Sequence, residues 1–223
     1  MLQFLIGLSE NFEGIQIFAV GLAFTLAIVF ALTFHEFAHA FVAYKAGDNT
    51  PKAQGRLTLN PLKHISPLGA LMFLLFGFGW AKPVEINPLK FRNYKKASAL
   101  VSIAGIVTNL ILAFVSIMAY SLLKAFVLNI TNYFVFFIIY FFYFSAILNV
   151  SLALFNLLPI YPLDGFKFLQ VLLKPNNKFI RFMYQYGQIV LLIFILTPIF
   201  DILFSYVINF VLNLMIIIPS LLI

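Results

Sequence analysis

The chain has 223 residues, 63% of them hydrophobic and only 9% charged, with a mean hydropathy of +1.05. Such a composition excludes a soluble globular domain and predicts an all-α polytopic membrane protein. The net charge of +7 comes from 14 basic and seven acidic residues, and in so apolar a chain it marks membrane sidedness rather than nucleic-acid binding; the lack of cysteine excludes disulfides and thiolate metal ligands.

Residues 1–14 lack the basic start of a cleaved signal peptide and carry Glu10 and Glu13, so a retained N-terminal segment is expected. The first apolar segment covers residues 15–44 and stops at Ala46-Gly47-Asp48. It exceeds the roughly 20 residues that a span requires, so its last turns extend toward the cytoplasm. Residues 15–34 contain no charged side chain, and directly after them comes His35-Glu36-Phe37-Ala38-His39.

The segment 45–96 is different in kind, with nine of the 14 Lys and Arg residues and five of the ten prolines. It cannot be one long helix. Arg56-Leu57-Thr58-Leu59 alternates like a short strand. Residues 67–80 are apolar and Gly-rich but too short to span, which predicts a membrane-associated hairpin or re-entrant loop with Trp80 and Lys82 at the interface. A second span is expected at 97–124 and a third at 133–158, the latter broken by Pro159 and Pro162. After a basic connection at 166–181 come a short fourth span at 184–196 and a fifth at 202–222, with a tight hairpin at Pro198 and Asp201. The result is a single membrane-embedded domain over 1–223 with about five transmembrane helices and no evident internal repeat. The basic bias places both basic segments and the C-terminus in the cytoplasm and the N-terminus outside.

The placement of His35 and His39 carries the chemistry. Four residues apart, they share one helix face with the spacing of two zinc ligands, and Glu36 beside them can polarise a metal-bound water. Ionisable groups at membrane depth are costly, and a metal accounts for three of them together. Catalytic zinc takes a third protein ligand. His64 and the few acids are candidates, and Asp164 is the best placed. It follows Pro159 and Pro162, where a broken helix lets a side chain turn inward, and it arrives at a depth similar to that of His35. His35 lies roughly 15 Å before the end of the first helix, at 1.5 Å per residue. Simpler readings stand beside this one. Asp164-Gly165 is also a common turn dipeptide, and Asn109 could join two spans by a hydrogen bond. Asn156 could bond backbone freed by Pro159, and His64 is an interfacial loop residue.

His35-Glu36-x-x-His39 in a span, followed by Asn156-x-x-Pro159-x-x-x-Leu163-Asp164-Gly165, resembles the site-2 protease family of intramembrane zinc metalloproteases. Gly55-Arg56-Leu57-Thr58-Leu59-Asn60-Pro61 and Phe78-Gly79-Trp80-Ala81-Lys82-Pro83-Val84 resemble its short prokaryotic members, so the similarity covers about residues 30–170. The resemblance implies one zinc on His35, His39 and Asp164, with Glu36 activating water for peptide-bond hydrolysis. It also implies an integral protein of a prokaryotic cell membrane, a substrate that is a membrane protein whose helix can unwind, and cleavage near the cytoplasmic side. In Gly105-Ile106-Val107-Thr108-Asn109 a family Gly-Pro-x-x-Asn pattern has Ile in place of Pro; the family role of Asn109 would be to hold substrate or the developing oxyanion. Ser66 and Glu85 also depart from the family's loop. Two rivals remain: a protease of prenylated tails, whose third ligand would be a downstream Glu such as Glu85, and a metal-binding transporter or scaffold that uses the site without hydrolysis.

Overall fold

The computed structural model describes residues 14–69, 72, 81–127, 132–174 and 176–221. Its helices are α1 (Ile15–Lys45), the short α2 (Thr50–Ala53), α3 (Tyr94–Phe126), α4 (Tyr133–Leu157), α5 (Asp164–Leu172), α6 (Lys178–Leu196) and α7 (Pro198–Ser220). Five of them, α1, α3, α4, α6 and α7, are long and apolar enough to cross a membrane. The architecture is the all-α polytopic one expected. Most of the expected hairpin at 67–80, with Trp80, lies outside the described residues, as do residues 1–13.

Asparagines set where the helices begin. The side-chain oxygens of Asn93, Asn132 and Asn177 accept from the first-turn N–H groups of α3, α4 and α6. An asparagine in that position satisfies donors that the helix itself leaves open. For this reason α3 starts a turn before residue 97, and α6 starts at Lys178 rather than 184. The connection to α7 is Thr197 alone, so Asp201 lies in the first turn of α7 behind Pro198 instead of marking the hairpin.

The core is a three-helix packing of α1, α3 and α4. Along α1, Ala19, Ala23, Ala27 and Ala31 are buried at intervals of four, and the row continues through His35, His39 and Ala43. Small side chains on one face let membrane helices approach closely, which replaces the hydrophobic drive that lipid cannot supply. The same row therefore delivers both imidazoles into the centre of the packing. Between α3 and α4, the hydroxyls of Ser116 and Ser145 are hydrogen-bonded at 2.9 Å. α7 leans on α3 and α4, and α6 packs on α7. Only 6% of the apolar stretch of α7 is buried, against 50% in α3, so α7 presents most of its surface to lipid.

The polar segment between α1 and α3 is tied at its base. Asp48, fully buried, accepts from the N–H groups of Thr50 (2.9 Å) and Asn87 (2.7 Å), and Arg92 N–H donates to Ala46 O at 3.0 Å. Further along, Ile65 and Ala81 form an isolated antiparallel bridge, and Lys82 N–H donates to His64 O at 2.7 Å. The strand expected at 56–59 is absent. The Arg56 guanidinium turns back to the Lys63 carbonyl, and His64 Nε2–H donates to Thr58 O at 2.8 Å, which folds this stretch onto itself. One short repeat escaped the sequence reading: Asn-Pro-Leu-Lys occurs at 60–63 and 87–90 and forms the same 3-10 turn twice, the Asn side chain accepting from the Leu N–H.

Candidate metal centre

Two elements meet at the site. α1 brings His35 and His39 on adjacent turns, and the first residue of α5 is Asp164. All three are buried. Asp164 Oδ2 lies 3.1 Å from His35 Nε2 and 2.9 Å from His39 Nε2, and the two Nε2 atoms are 3.0 Å apart. His35, His39 and Asp164 form the one group of three or more metal-binding side chains among the described residues. His64 lies elsewhere, buried in the loop.

The hydrogen bonds behind the rings set which nitrogen of each faces the carboxylate. His39 Nδ1 meets the carbonyl of Val101 at 2.7 Å, and His35 Nδ1 meets Asn109 Oδ1 at 2.8 Å. Both partners only accept, so both Nδ1 atoms carry a hydrogen. The polarity of the second contact is itself fixed. Asn109 Nδ2 donates to Asn149 Oδ1 at 2.9 Å, and Asn149 Nδ2 donates to the carbonyl of Ser145 at 2.8 Å. A backbone oxygen thus orients two amides and, through them, one imidazole. Each Nε2 is thereby the ring nitrogen turned to Asp164 Oδ2, and in a neutral ring it offers a lone pair there. Two neutral imidazole nitrogens and a carboxylate oxygen converging on one point are the donor set of a divalent cation. Zinc bound at about 2.0–2.1 Å in tetrahedral geometry holds its ligands about 3.3 Å apart. The observed 2.9–3.1 Å is within a few tenths of that. The donor set fits zinc.

Two glycines make the approach possible. A Cβ on Gly105 would run into the His35 ring, so the residue one turn before Asn109 on α3 admits the imidazole that Asn109 holds. A Cβ on Gly165 would strike the carbonyls of Leu157 and Leu158, so Gly165 lets α5 fold back against the end of α4 and bring Asp164 in. The other carboxylate oxygen of Asp164 accepts from Lys167 Nζ at 2.9 Å, which leaves Oδ2 turned to the histidines.

Glu36 is half-buried and shares with the three residues a cavity of about 150 Å³. Its Oε2 accepts from the backbone N–H of Val84 at 3.0 Å, so the loop segment after Pro83 crosses the cleft and aims the carboxylate. The structure places Asn109 behind His35, fully buried and with its oxygen and amide nitrogen both engaged. Asn156 lines the cavity and donates to Leu152 O at 3.0 Å, one turn back in its own helix, rather than to backbone freed by Pro159. Glu85 sits outside the cleft and accepts from Gln54 Nε2. Asn149 was missed from sequence, although an amide in mid-span of a Phe-rich helix is a signal in itself. The contributions of Val84 N–H and Val101 O have no side-chain signature and are not visible in the sequence.

Comparison with known proteins points the same way. A family model described as Peptidase family M50 matches residues 23–196. A protein of Bacillus subtilis (strain 168) named "Putative zinc metalloprotease YwhC" is 44% identical over 174 residues, which are 78% of this chain and 80% of that protein. "Putative zinc metalloprotease Rip2" of Mycolicibacterium smegmatis is 32% identical over 174 residues, 75% of this chain and 64% of the relative. The Rip2 of Mycobacterium tuberculosis (strain ATCC 25618 / H37Rv) is 30% identical over 195 residues, 83% of this chain and 72% of its own. No solved structure matches the chain.

Proposed function

The chain belongs to peptidase family M50, the site-2 proteases, and is an integral-membrane zinc metalloprotease; we propose that it cuts membrane proteins within or near a transmembrane segment, on the cytoplasmic side. The observation that carries this reading is the meeting of two imidazole nitrogens and one carboxylate oxygen inside a bundle of membrane-length helices.

In this proposal His35, His39 and Asp164 hold the metal. A zinc held there would supply a Lewis acid and bring the pKa of water down to roughly 7. Glu36, held toward the cleft by Val84 N–H, would take the proton of that water and return it to the leaving amine. Asn109 fixes the tautomer and angle of His35, as partners of metal-bound histidines do. An oxyanion role for Asn109 would require its amide to leave Asn149. The substrate helix must unwind before attack, since its own hydrogen bonds protect the scissile bond. The N-terminus lies outside and the basic segments and C-terminus lie in the cytoplasm, on the strength of the Lys and Arg bias.

The test is zinc content and cleavage of a single-span peptide in lipid vesicles, for wild type, Asp164→Ala and Glu36→Gln. Expected are about one zinc per chain in wild type and in Glu36→Gln, less in Asp164→Ala, and cleavage by wild type alone. Hydrolysis surviving Glu36→Gln would sink the assignment of the base. Zinc retained at full content in Asp164→Ala would sink the three-ligand site.

A further inference from the structure

The metal cleft opens into a second, larger space. A groove of about 770 Å³ runs from the cleft between the start of α3, α5 and the first turns of α6, and both spaces are lined by Val84, Val101, Ser102 and Lys167. The cleft alone, at about 150 Å³, is below the roughly 300–1,000 Å³ of sites that enclose a ligand. A peptide with its scissile bond at the metal has to continue somewhere, and the groove is continuous with that point.

Its walls are charged in one sense. Lys95, Lys167, Lys174 and Arg181 line it, and no acidic side chain does among the described residues. Lys167 is engaged with Asp164. Lys95, Lys174 and Arg181 are exposed, and among the described residues none has an acidic partner. Between these cations the floor is apolar, with Ile86, Val101 and Ile180. Basic residues at a membrane boundary ordinarily mark the cytoplasmic side. Three of them arranged around a trough that leads to the reacting centre are placed to do more. An apolar floor with a cationic rim fits an extended peptide that carries carboxylates.

We propose that this groove receives the part of the substrate on the cytoplasmic side of the scissile bond and selects for acidic side chains there. The proposal rests on the protease reading above and adds a substrate class to it. Opposite charge across a wet interface governs selectivity and encounter more than total affinity. Two or three exposed pairs are worth about a tenfold preference, and salt screens it.

The test uses the full chain in phosphatidylcholine vesicles with synthetic single-span peptides that differ only in the flank, a run of Glu, Gln or Lys. Binding is read by fluorescence anisotropy on Glu36→Gln, and cleavage on wild type. The Glu flank should bind about tenfold more tightly than the Lys flank, with the gap closing at high salt. The double variant Lys174→Glu/Arg181→Glu should reverse that order, which a merely misfolded protein cannot do. Equal binding of the three peptides overturns the proposal, whether or not they are cleaved. In a parallel set of vesicles with added phosphatidylglycerol, the proposal also falls if the double variant keeps the Glu-over-Lys order and instead loses its enrichment of that lipid, because the groove would then hold lipid headgroups. A Glu preference in binding without cleavage of any peptide by wild type would leave the groove standing and remove the protease reading.

Discussion

Replacing Asn109 with Leu removes the amide and keeps roughly its volume. In the structure this deletes two buried hydrogen bonds, to His35 Nδ1 at 2.8 Å and to Asn149 Oδ1 at 2.9 Å, at a residue with no exposure. His35 Nδ1–H and Asn149 Oδ1 are left without partners, each at a cost of about 1–3 kcal/mol. The His35 ring then no longer prefers the tautomer that turns a bare Nε2 to the metal. Loss of such a supporting partner lowers metal affinity by about 10–100-fold, or about 1.4–2.8 kcal/mol. The assay is competition for zinc against a chromogenic chelator in detergent, with helicity by circular dichroism as the folding control. Asn149→Ala, one step further back, should weaken zinc in the same direction and by less. A zinc affinity for folded Asn109→Leu within about twofold of wild type, well short of the tenfold expected, would refute the claim that this amide relay holds the histidine.

Three further outcomes follow from the geometry. Gly105→Ala should raise the intrinsic helix preference of α3 by about 1 kcal/mol yet lower zinc content and melting temperature, because the new methyl meets the His35 ring; a more stable, fully zinc-loaded variant would contradict the close approach. Val84→Pro removes the N–H that aims Glu36 and should lower kcat by about tenfold, a fraction of what a general base contributes, with zinc content unchanged; unaltered kcat would show that the loop does not position the base. Burial raises the pKa of Asp48, but hydrogen bonds from Thr50 and the Asn87 N–H, with Lys90 nearby, outweigh it and hold the carboxyl below its ordinary value. Its stabilisation is thus complete above the unfolded value of about 3.9 and is lost as the pH falls through the lower folded value. The melting-temperature gap between wild type and Asp48→Asn should be flat from neutral pH to about pH 5 and shrink below about pH 4; a gap that widens on acidification would reverse the sign assigned here.

What could be read from sequence was what is local. α1, α3 and α4 were placed within about a turn of their observed ends, because hydropathy over a span-length window depends on nothing distant. His35, Glu36 and His39 were visible for the same reason, their spacing being a property of one helix. Asp164 lies far along the chain, but two prolines and a glycine marked the place where a helix breaks and a side chain turns inward. The failures were non-local. The alternation at 56–59 looks like a strand, yet Arg56 and His64 find carbonyls within the same loop, and among the described residues no neighbouring strand pairs with it. Asn109 was legible as a polar residue in a span, but not that its partner would be His35, 74 positions away. The early start of α6 depended on a cap at Asn177 that hydropathy does not see.

The ties around Asp48 act at a distance. Residues 46 and 92 are joined by a backbone hydrogen bond, Asp48 reaches Asn87, and Ile65 and Ala81 are bridged further in. The loop is therefore fastened twice, at a base and at a neck. Val84 lies between the two fastenings, over Glu36. Loosening either one would blur the aim of the carboxylate without touching a residue of the cleft, so part of what looks like scaffolding is a sighting device for the base.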